Sequence, residues 1–92
     1  MITLIATLKV KEGKMDEFKE KVKQAAANIK KNESGCVEYI PHTLKGDANA
    51  IVFYEKYTDK DALKIHSANL GENFKELLPL LEPVWILKHV LR

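Results

Sequence analysis

Residues 51–57, with the sequence IVFYEKY, form the strongest predicted strand of the chain. The segment is rich in aromatic and β-branched residues, which are typical of β-strands. Because side chains alternate between the two faces of a strand, Phe53, Glu55 and Tyr57 share one face, and Val52 and Tyr54 share the other. Both faces therefore carry large apolar side chains. A strand with one face in water would carry polar residues on that face, so we predict that both faces are covered.

Three further strands are predicted on either side of this segment. Ile2–Val10 alternates apolar and more polar residues with a period of two, which is typical of a strand. Residues 36–44 form a weaker strand in which Pro41 cannot donate a hydrogen bond, so we place this strand at an edge or a bulge. Residues 45–49 have the composition of a turn, which predicts a hairpin with residues 51–57. Residues 84–91 form the last predicted strand.

Helices are predicted in the two remaining segments. After Lys14, apolar residues recur every three or four positions, which indicates an amphipathic helix of about 17 residues. Thr58 and Asp61 have the spacing of a capping box and predict the start of a short helix. The inward face of that helix would carry Ala62, Leu63 and His66. We expect Gly71 to interrupt it and a further helix to follow, which ends or kinks near Leu78 because of Pro79. That helix would present Phe74, Leu77, Leu78 and Leu81.

The predicted order β-α-β-β-α-β is that of an α+β, ferredoxin-like domain with a four-stranded antiparallel sheet. We assign residues 1–92 to this single domain. Its helices would cover one face of the sheet, and the other face would remain apolar. Monomeric proteins seldom expose an apolar patch of that size. We therefore predict a homodimer that packs sheet face against sheet face.

Composition excludes several classes of protein. The chain has 92 residues, of which 46% are hydrophobic and 30% charged, so it is not intrinsically disordered. A net charge of +2 is too small for a nucleic-acid-binding surface. No apolar run is long enough to cross a membrane. The single cysteine, Cys36, excludes an internal disulfide and a cysteine-based metal cluster. These features predict a soluble, cytoplasmic protein without nucleic-acid or membrane partners.

Two ionisable residues fall among apolar neighbours in the predicted elements. Glu55 could act as a general acid or base, or it could simply be paired with Lys88 or a hydroxyl group. His66 could accept a proton near neutral pH, or it could be a core histidine bonded to a backbone carbonyl. Both interpretations of each residue stay open. No two of the three histidines have the spacing of metal ligands, so we predict no metal site.

Aromatic residues on apolar faces are usually core or interface residues, because their burial contributes large energies. A minority could instead line a pocket for a planar ligand. The members of this set are Tyr39, His42, Tyr54, Phe74 and Trp85.

Three segments together resemble the antibiotic biosynthesis monooxygenase domain. Residues 33–39 (ESGCVEY) are similar to its E-x-G-C-x-x-Y pattern, and residues 53–59 (FYEKYTD) to the strand end that follows. A helix that ends in a histidine, here His66, comes next. The resemblance implies a dimer of ferredoxin-like subunits, which is called a dimeric α/β barrel. It also implies activities that include the oxygenation of quinols and polycyclic phenols without flavin, metal or haem. The residue set of the haem-degrading branch is absent, which disfavours haem cleavage.

Our leading hypothesis is therefore a cofactor-independent monooxygenase that acts on a small electron-rich aromatic such as a quinol. His66 would be the base, Glu55 would orient groups or neutralise charge, and Tyr39 would bind a carbonyl or hydroxyl group. The predicted substrate-binding residues are Phe74, Trp85 and Asn73, the last of which stands where many members carry a second histidine.

Two alternatives stay open. One is an isomerase or tautomerase of a small hydroxy-ketone, in which His66 and Glu55 would move a proton. The other is a non-catalytic dimeric binding or stress-response module, which predicts a closed core around His66 with no cavity.

Overall fold

The computed structural model describes the backbone of residues 1–91 and the side chains of residues 1–82. Its elements are β1 (Ile2–Val10), α1 (Met15–Asn32), β2 (Cys36–Leu44), β3 (Asp47–Tyr57), α2 (Lys60–Asn73), a short 3-10 helix (Leu78–Leu80) and β4 (Leu81–Leu91). The predicted ferredoxin-like order β-α-β-β-α-β is confirmed. Within the described part of the chain, neither helix is both long enough and apolar enough to span a membrane.

The four strands form one antiparallel sheet in the order β2-β3-β1-β4. β2 lies at an edge, as the proline at position 41 predicted. β2 and β3 are joined by a tight turn in which Gly46 adopts a φ of 92°, a conformation that favours glycine. β1 and β3 are the central strands, and Leu4 and Ala6 of β1 pair with Glu55 and Phe53 of β3.

The core lies between the helices and one face of the sheet. Alternate residues of β1 are buried there, and the apolar stripe of α1 packs against them. Phe18 and Ile29 of α1 are fully buried, and each contributes roughly 1.5–3 kcal/mol through burial. Acidic residues in the first turn of α1 and basic residues in its last turn complement the helix dipole.

The opposite face of the sheet carries a row of apolar side chains. Ile40 of β2 pairs with Tyr54 of β3, which in turn pairs with Ile5 of β1. Ile5 and Tyr54 are half-buried, and Ile40 is 39% exposed. On β1 and β3 the second face is therefore partly apolar, as predicted. The faces predicted for residues 84–91 lie outside the described side chains.

The second helical region differs from the prediction. α2 is one continuous helix that runs through Gly71, and no second α-helix follows it up to the end of the described backbone at residue 91. A glycine inside a helix costs only about 1 kcal/mol, which tertiary packing overrides here. Residues 78–80 form a single 3-10 turn that accommodates Pro79 near its start, and β4 begins at Leu81, earlier than predicted.

The start of α2 also differs by one residue. The N-cap is Asp59 and not Thr58, since Asp59 Oδ1 accepts a 2.8 Å hydrogen bond from the backbone N–H of Ala62. Thr58 instead donates its backbone N–H to the carbonyl of Gly35. A Cβ atom added at Gly35 would collide with the Cβ of Ala62, so only glycine permits this approach. The loop after α1 is thereby held against α2.

Candidate active site

A cavity of about 270 Å³ lies between α2 and the sheet. Its lining residues are Ala6, Leu8, Tyr39, Phe53, Glu55, His66, Ser67, Leu70, Gly71, Phe74, Leu78 and Leu81. Most of them are apolar. Ser67, Gly71 and Leu78 are exposed, so the cavity reaches solvent between α2 and the 3-10 helix. A mostly apolar cavity with a few polar groups is typical of a site for a small ligand.

His66 is placed in this site by helical spacing from Ala62, and its side chain is 1% exposed. Its Nδ1 atom lies 3.0 Å from Oε1 of Glu33, and its Nε2 atom lies 3.7 Å from Oε1 of Glu55. The partner of Nδ1 is thus a carboxylate and not a backbone carbonyl. The imidazole therefore lies between two buried acidic groups.

Glu55 lines the cavity from β3 and is 2% exposed as a residue. Its Oε1 atom accepts a 2.7 Å hydrogen bond from the hydroxyl of Tyr57. The predicted hydroxyl partner is therefore present, although it comes from the same strand and not from across the sheet. The other predicted partner, the side chain of Lys88, lies outside the described residues. Glu55 combines a paired structural role with a position on the cavity.

Glu33 is a member of the buried polar cluster that was not among the predicted site residues. It directly follows α1, where its backbone N–H bonds to the carbonyl of Ile29, and it is 6% exposed. Its Oε1 atom contacts His66, and its Oε2 atom accepts a 3.2 Å hydrogen bond from Nδ2 of Asn73. In the sequence, Glu33 was noted only as the first residue of the segment that resembles the family pattern. The one local signal for it was its position between the predicted end of α1 and Gly35.

Two tyrosine rings flank the imidazole. The ring centroids of Tyr39 and Tyr57 lie 5.2 and 5.1 Å from that of His66. Burial, and then the negative charge of Glu55, raises the pKa of the Tyr39 hydroxyl far above its ordinary value. Burial and the hydrogen bond to Glu55 do the same to the pKa of Tyr57. Both hydroxyl groups therefore remain protonated at neutral pH, and that of Tyr57 donates to Glu55.

The other predicted site residues fall in different places. Phe74 is buried and lines the cavity, with its ring 5.9 Å from that of Phe53. Asn73 contacts Glu33 and is not among the described residues that line the cavity. The side chain of Trp85 lies outside the described residues. Cys36 is buried, and burial raises the pKa of its thiol to about 11, which disfavours a nucleophilic role at neutral pH.

Two buried carboxylates and one imidazole come together in this cluster. Among the side chains of residues 1–82, the buried charged or polar residues are Glu33, Glu55 and His66, and all three lie in this cluster. No group of three possible ligands in that part of the chain is arranged to hold a metal ion. What the arrangement can do is move or hold a proton beside an apolar cavity.

Solved structures of other proteins share this fold over nearly all of the chain. A candidate antibiotic biosynthesis monooxygenase from Caulobacter crescentus CB15 is 29% identical, with a TM-score of 0.86 over 98% of this chain and 86% of that one. PA3566 from Pseudomonas aeruginosa is 24% identical, with a TM-score of 0.77 over 98% and 90%. A further candidate antibiotic biosynthesis monooxygenase, from Nitrosomonas europaea, is 18% identical, with a TM-score of 0.82 over 100% and 97%.

No curated protein matches the chain. The family model for antibiotic biosynthesis monooxygenase matches residues 1–78, a range that includes Glu33, Glu55 and His66. The match covers every residue that lines the cavity except Leu81. The chain belongs to the antibiotic biosynthesis monooxygenase family.

Proposed function

We propose that the protein is a cofactor-independent monooxygenase that oxidises a small electron-rich aromatic, such as a quinol, in the cavity beneath α2. The observation that carries this proposal is the apolar cavity of about 270 Å³ with His66 and Glu55 in its wall. An apolar protein cavity of about 150 Å³ is large enough to hold benzene, so this one accommodates a single substituted ring.

The proposed chemistry begins with the loss of a proton from the substrate. His66 takes the proton of a quinol hydroxyl group as a general base, and the resulting anion gives one electron to dioxygen, which forms a semiquinone and superoxide. These two radicals combine at a ring carbon, and loss of water from the hydroperoxide leaves one oxygen atom on the ring and the other in the water. The protein then has to favour the anion and exclude bulk water from it. The apolar lining, which includes Phe53 and Phe74, supports water exclusion.

The neighbouring residues have supporting roles in this scheme. Glu55, whose Oε1 atom lies 3.7 Å from Nε2 of His66, stabilises the imidazolium that proton uptake creates. The hydroxyl of Tyr39 donates a hydrogen bond to a carbonyl or hydroxyl oxygen of the substrate. Phe74 forms part of the apolar wall, and we assign Trp85 to the same wall.

Assembly belongs to this proposal as well. The row formed by Ile40, Tyr54 and Ile5 would be covered by the same face of a second copy. Two-fold pairing through this face would hide the apolar side chains that helices α1 and α2 leave uncovered. The cavity lies on the opposite face, so each protomer would keep its own site.

An oxygen electrode tests the proposed reaction. With a panel of quinols, we expect the wild-type protein to consume dioxygen and His66→Ala to lower the rate at least about tenfold, because a general base is lost. The exposed neighbour Lys64→Ala is the matched control and keeps the wild-type rate. An undiminished rate in His66→Ala would remove this histidine from the mechanism.

A second candidate function is an isomerase or tautomerase of a small hydroxy-ketone. The position of His66 between two carboxylates favours it, since such a group can both accept and return a proton. The oxygen electrode separates the two reactions, because an isomerase consumes no dioxygen. The non-catalytic module predicted a closed core, and the cavity counts against it.

A further inference from the structure

We propose that Glu33 is a positioning residue that holds a proton on Nδ1 of His66 and so makes Nε2 the nitrogen that accepts the substrate's proton. The inference rests on the proposed function, in which His66 is the base. It adds a residue from outside the cavity lining and assigns the two nitrogens of the imidazole separate tasks.

The geometry around Nδ1 carries the first step. We assign Glu33 as an ionised carboxylate, which only accepts hydrogen bonds, and the 3.0 Å contact between its Oε1 atom and Nδ1 of His66 then places a proton on Nδ1. A neutral imidazole has one N–H group, and Nε2 is then the nitrogen with the free electron pair. Nε2 lies on the side of Glu55, which lines the cavity. The tautomer that Glu33 selects thus directs the basic nitrogen towards the ligand site.

The second oxygen of Glu33 also has a hydrogen-bond partner on α2. Asn73 donates to Oε2, and it follows His66 by seven residues on α2. Residues seven apart lie on the same face of a helix, two turns from each other. The two oxygens of the carboxylate therefore contact two side chains of the same helix, which favours one orientation of the imidazole relative to Glu33.

Burial makes this contact strong. Glu33 and His66 are almost fully removed from water, and electrostatic interactions between buried groups are screened less than those at the surface. The ionisable groups that surround the imidazole are Glu33 from the loop after α1, Tyr39 from β2, and Glu55 and Tyr57 from β3. The side chains of β4 lie outside the described residues.

The proton transfer itself is balanced within the site. The substrate O–H bond breaks, an N–H bond forms at Nε2, and Nδ1 keeps its proton. The imidazolium that results has one carboxylate beside each nitrogen, Glu33 at Nδ1 and Glu55 near Nε2. The substrate oxygen becomes the anion that the oxidation needs.

Nitrogen NMR of the three histidines tests the assignment without a substrate. In the ¹⁵N-labelled wild-type protein, we expect His66 to show a protonated Nδ1 and an unprotonated Nε2. In Glu33→Gln, one amide oxygen has to serve two donors, so a second population with the proton on Nε2 should appear. Glu72→Gln, an exposed glutamate next to Asn73, is the matched control and keeps the wild-type spectrum.

Two NMR outcomes would overturn the proposal. The first is an unprotonated Nδ1 in the wild-type protein. The second is an unchanged His66 spectrum in Glu33→Gln, which would leave Glu33 with a structural role only. Neither outcome depends on whether a quinol is turned over.

Kinetics provide the second readout, with the quinol that the oxygen electrode identifies. Loss of tautomer control should lower kcat of Glu33→Gln at least about tenfold and change KM little, because Glu33 does not line the cavity. A wild-type kcat in this variant would overturn the role of Glu33 and leave the monooxygenase proposal intact. If the wild-type protein consumes no dioxygen with any quinol, the monooxygenase proposal fails and the NMR result alone decides the role of Glu33.

Discussion

Two helices cover the same face of one sheet, yet they bury very different residues. α1 buries only apolar side chains, among them Phe18, Val22 and Ile29. α2 buries an alanine and a histidine, and the cavity lies beneath it. We call these regions the α1 half and the α2 half of the core. The comparison indicates that the two halves have different roles. The α1 half stabilises the fold by apolar packing, whereas the α2 half contains buried polar groups, which are costly to bury and add little to stability.

The largest effect on stability should come from removing a buried side chain from the α1 half. Phe18→Ala removes a fully buried ring and should lower the free energy of unfolding by about 3–5 kcal/mol, measured by urea denaturation. The ¹⁵N spectrum of His66 should stay unchanged, because α2 is not altered. Lys19→Ala, the exposed neighbour, is the control for the helix itself. A loss of stability accompanied by a changed His66 tautomer would show that the two halves are not separable.

A smaller loss of stability with a larger effect on the site is expected from Gly35→Ala. The added methyl group collides with Ala62 and must move the loop that carries Glu33 away from α2. We expect a destabilisation of about 1–3 kcal/mol together with a weakened Nδ1–H signal of His66.

Gly71→Ala is the matched control for this change. A Cβ atom there meets nothing within 4 Å, and alanine favours the helix by up to about 1 kcal/mol. It should therefore stabilise the protein slightly. If Gly35→Ala leaves both stability and the His66 spectrum unchanged, the loop is not what positions Glu33.

The smallest expected effect is on the pH dependence of stability, and it involves Cys36. This residue lies at the start of β2, close to Glu33 and Glu55. Its pKa is raised from 9.0 to about 11 in the folded protein, by burial first and then by Glu33 and Glu55. Between these values the folded state keeps a proton that the unfolded chain loses, so stability is intact below pH 9 and falls as the pH rises towards 11.

Cys36→Ala should therefore reduce the alkaline loss of the urea midpoint. The loss should not vanish, because the raised pKa values of Tyr39 and Tyr57 act in the same direction. The comparison is made between the wild-type protein and the variant at pH 8 and pH 10, each relative to its own midpoint at neutral pH. Equal alkaline losses in both proteins would contradict the assignment.

The sequence predicted the α1 half much better than the α2 half. The apolar residues of α1 recur with helical spacing, and the alternation of β1 and the proline of β2 are local signals with local causes. The boundaries of β1 and β2 were predicted correctly for that reason. In the α2 half, Gly71 and Pro79 are both common at helix ends, and local rules could not show that α2 continues through Gly71.

The candidate site divides in the same way. Strand parity identified Glu55, and helix spacing identified His66, because each depends on neighbours within a few residues. Glu33 depends on a contact with residues 33 and 40 positions away, His66 and Asn73. The spacing of residues within a single helix or strand cannot predict a contact between such distant segments. The cavity was also beyond prediction, since it is a gap between side chains of four strands, α2 and the 3-10 helix.

The contact between Gly35 and Ala62 bears on how such a site could change over evolutionary time. Neither residue lines the cavity, yet together they set how near the beginning of α2 lies to the loop that carries Glu33. Bulkier residues at these two positions would move α2 away from the loop. The cavity would then become larger although its lining residues stayed the same. We expect relatives that bind larger ligands to differ at the positions of Gly35 and Ala62 before they differ in the residues that contact the ligand.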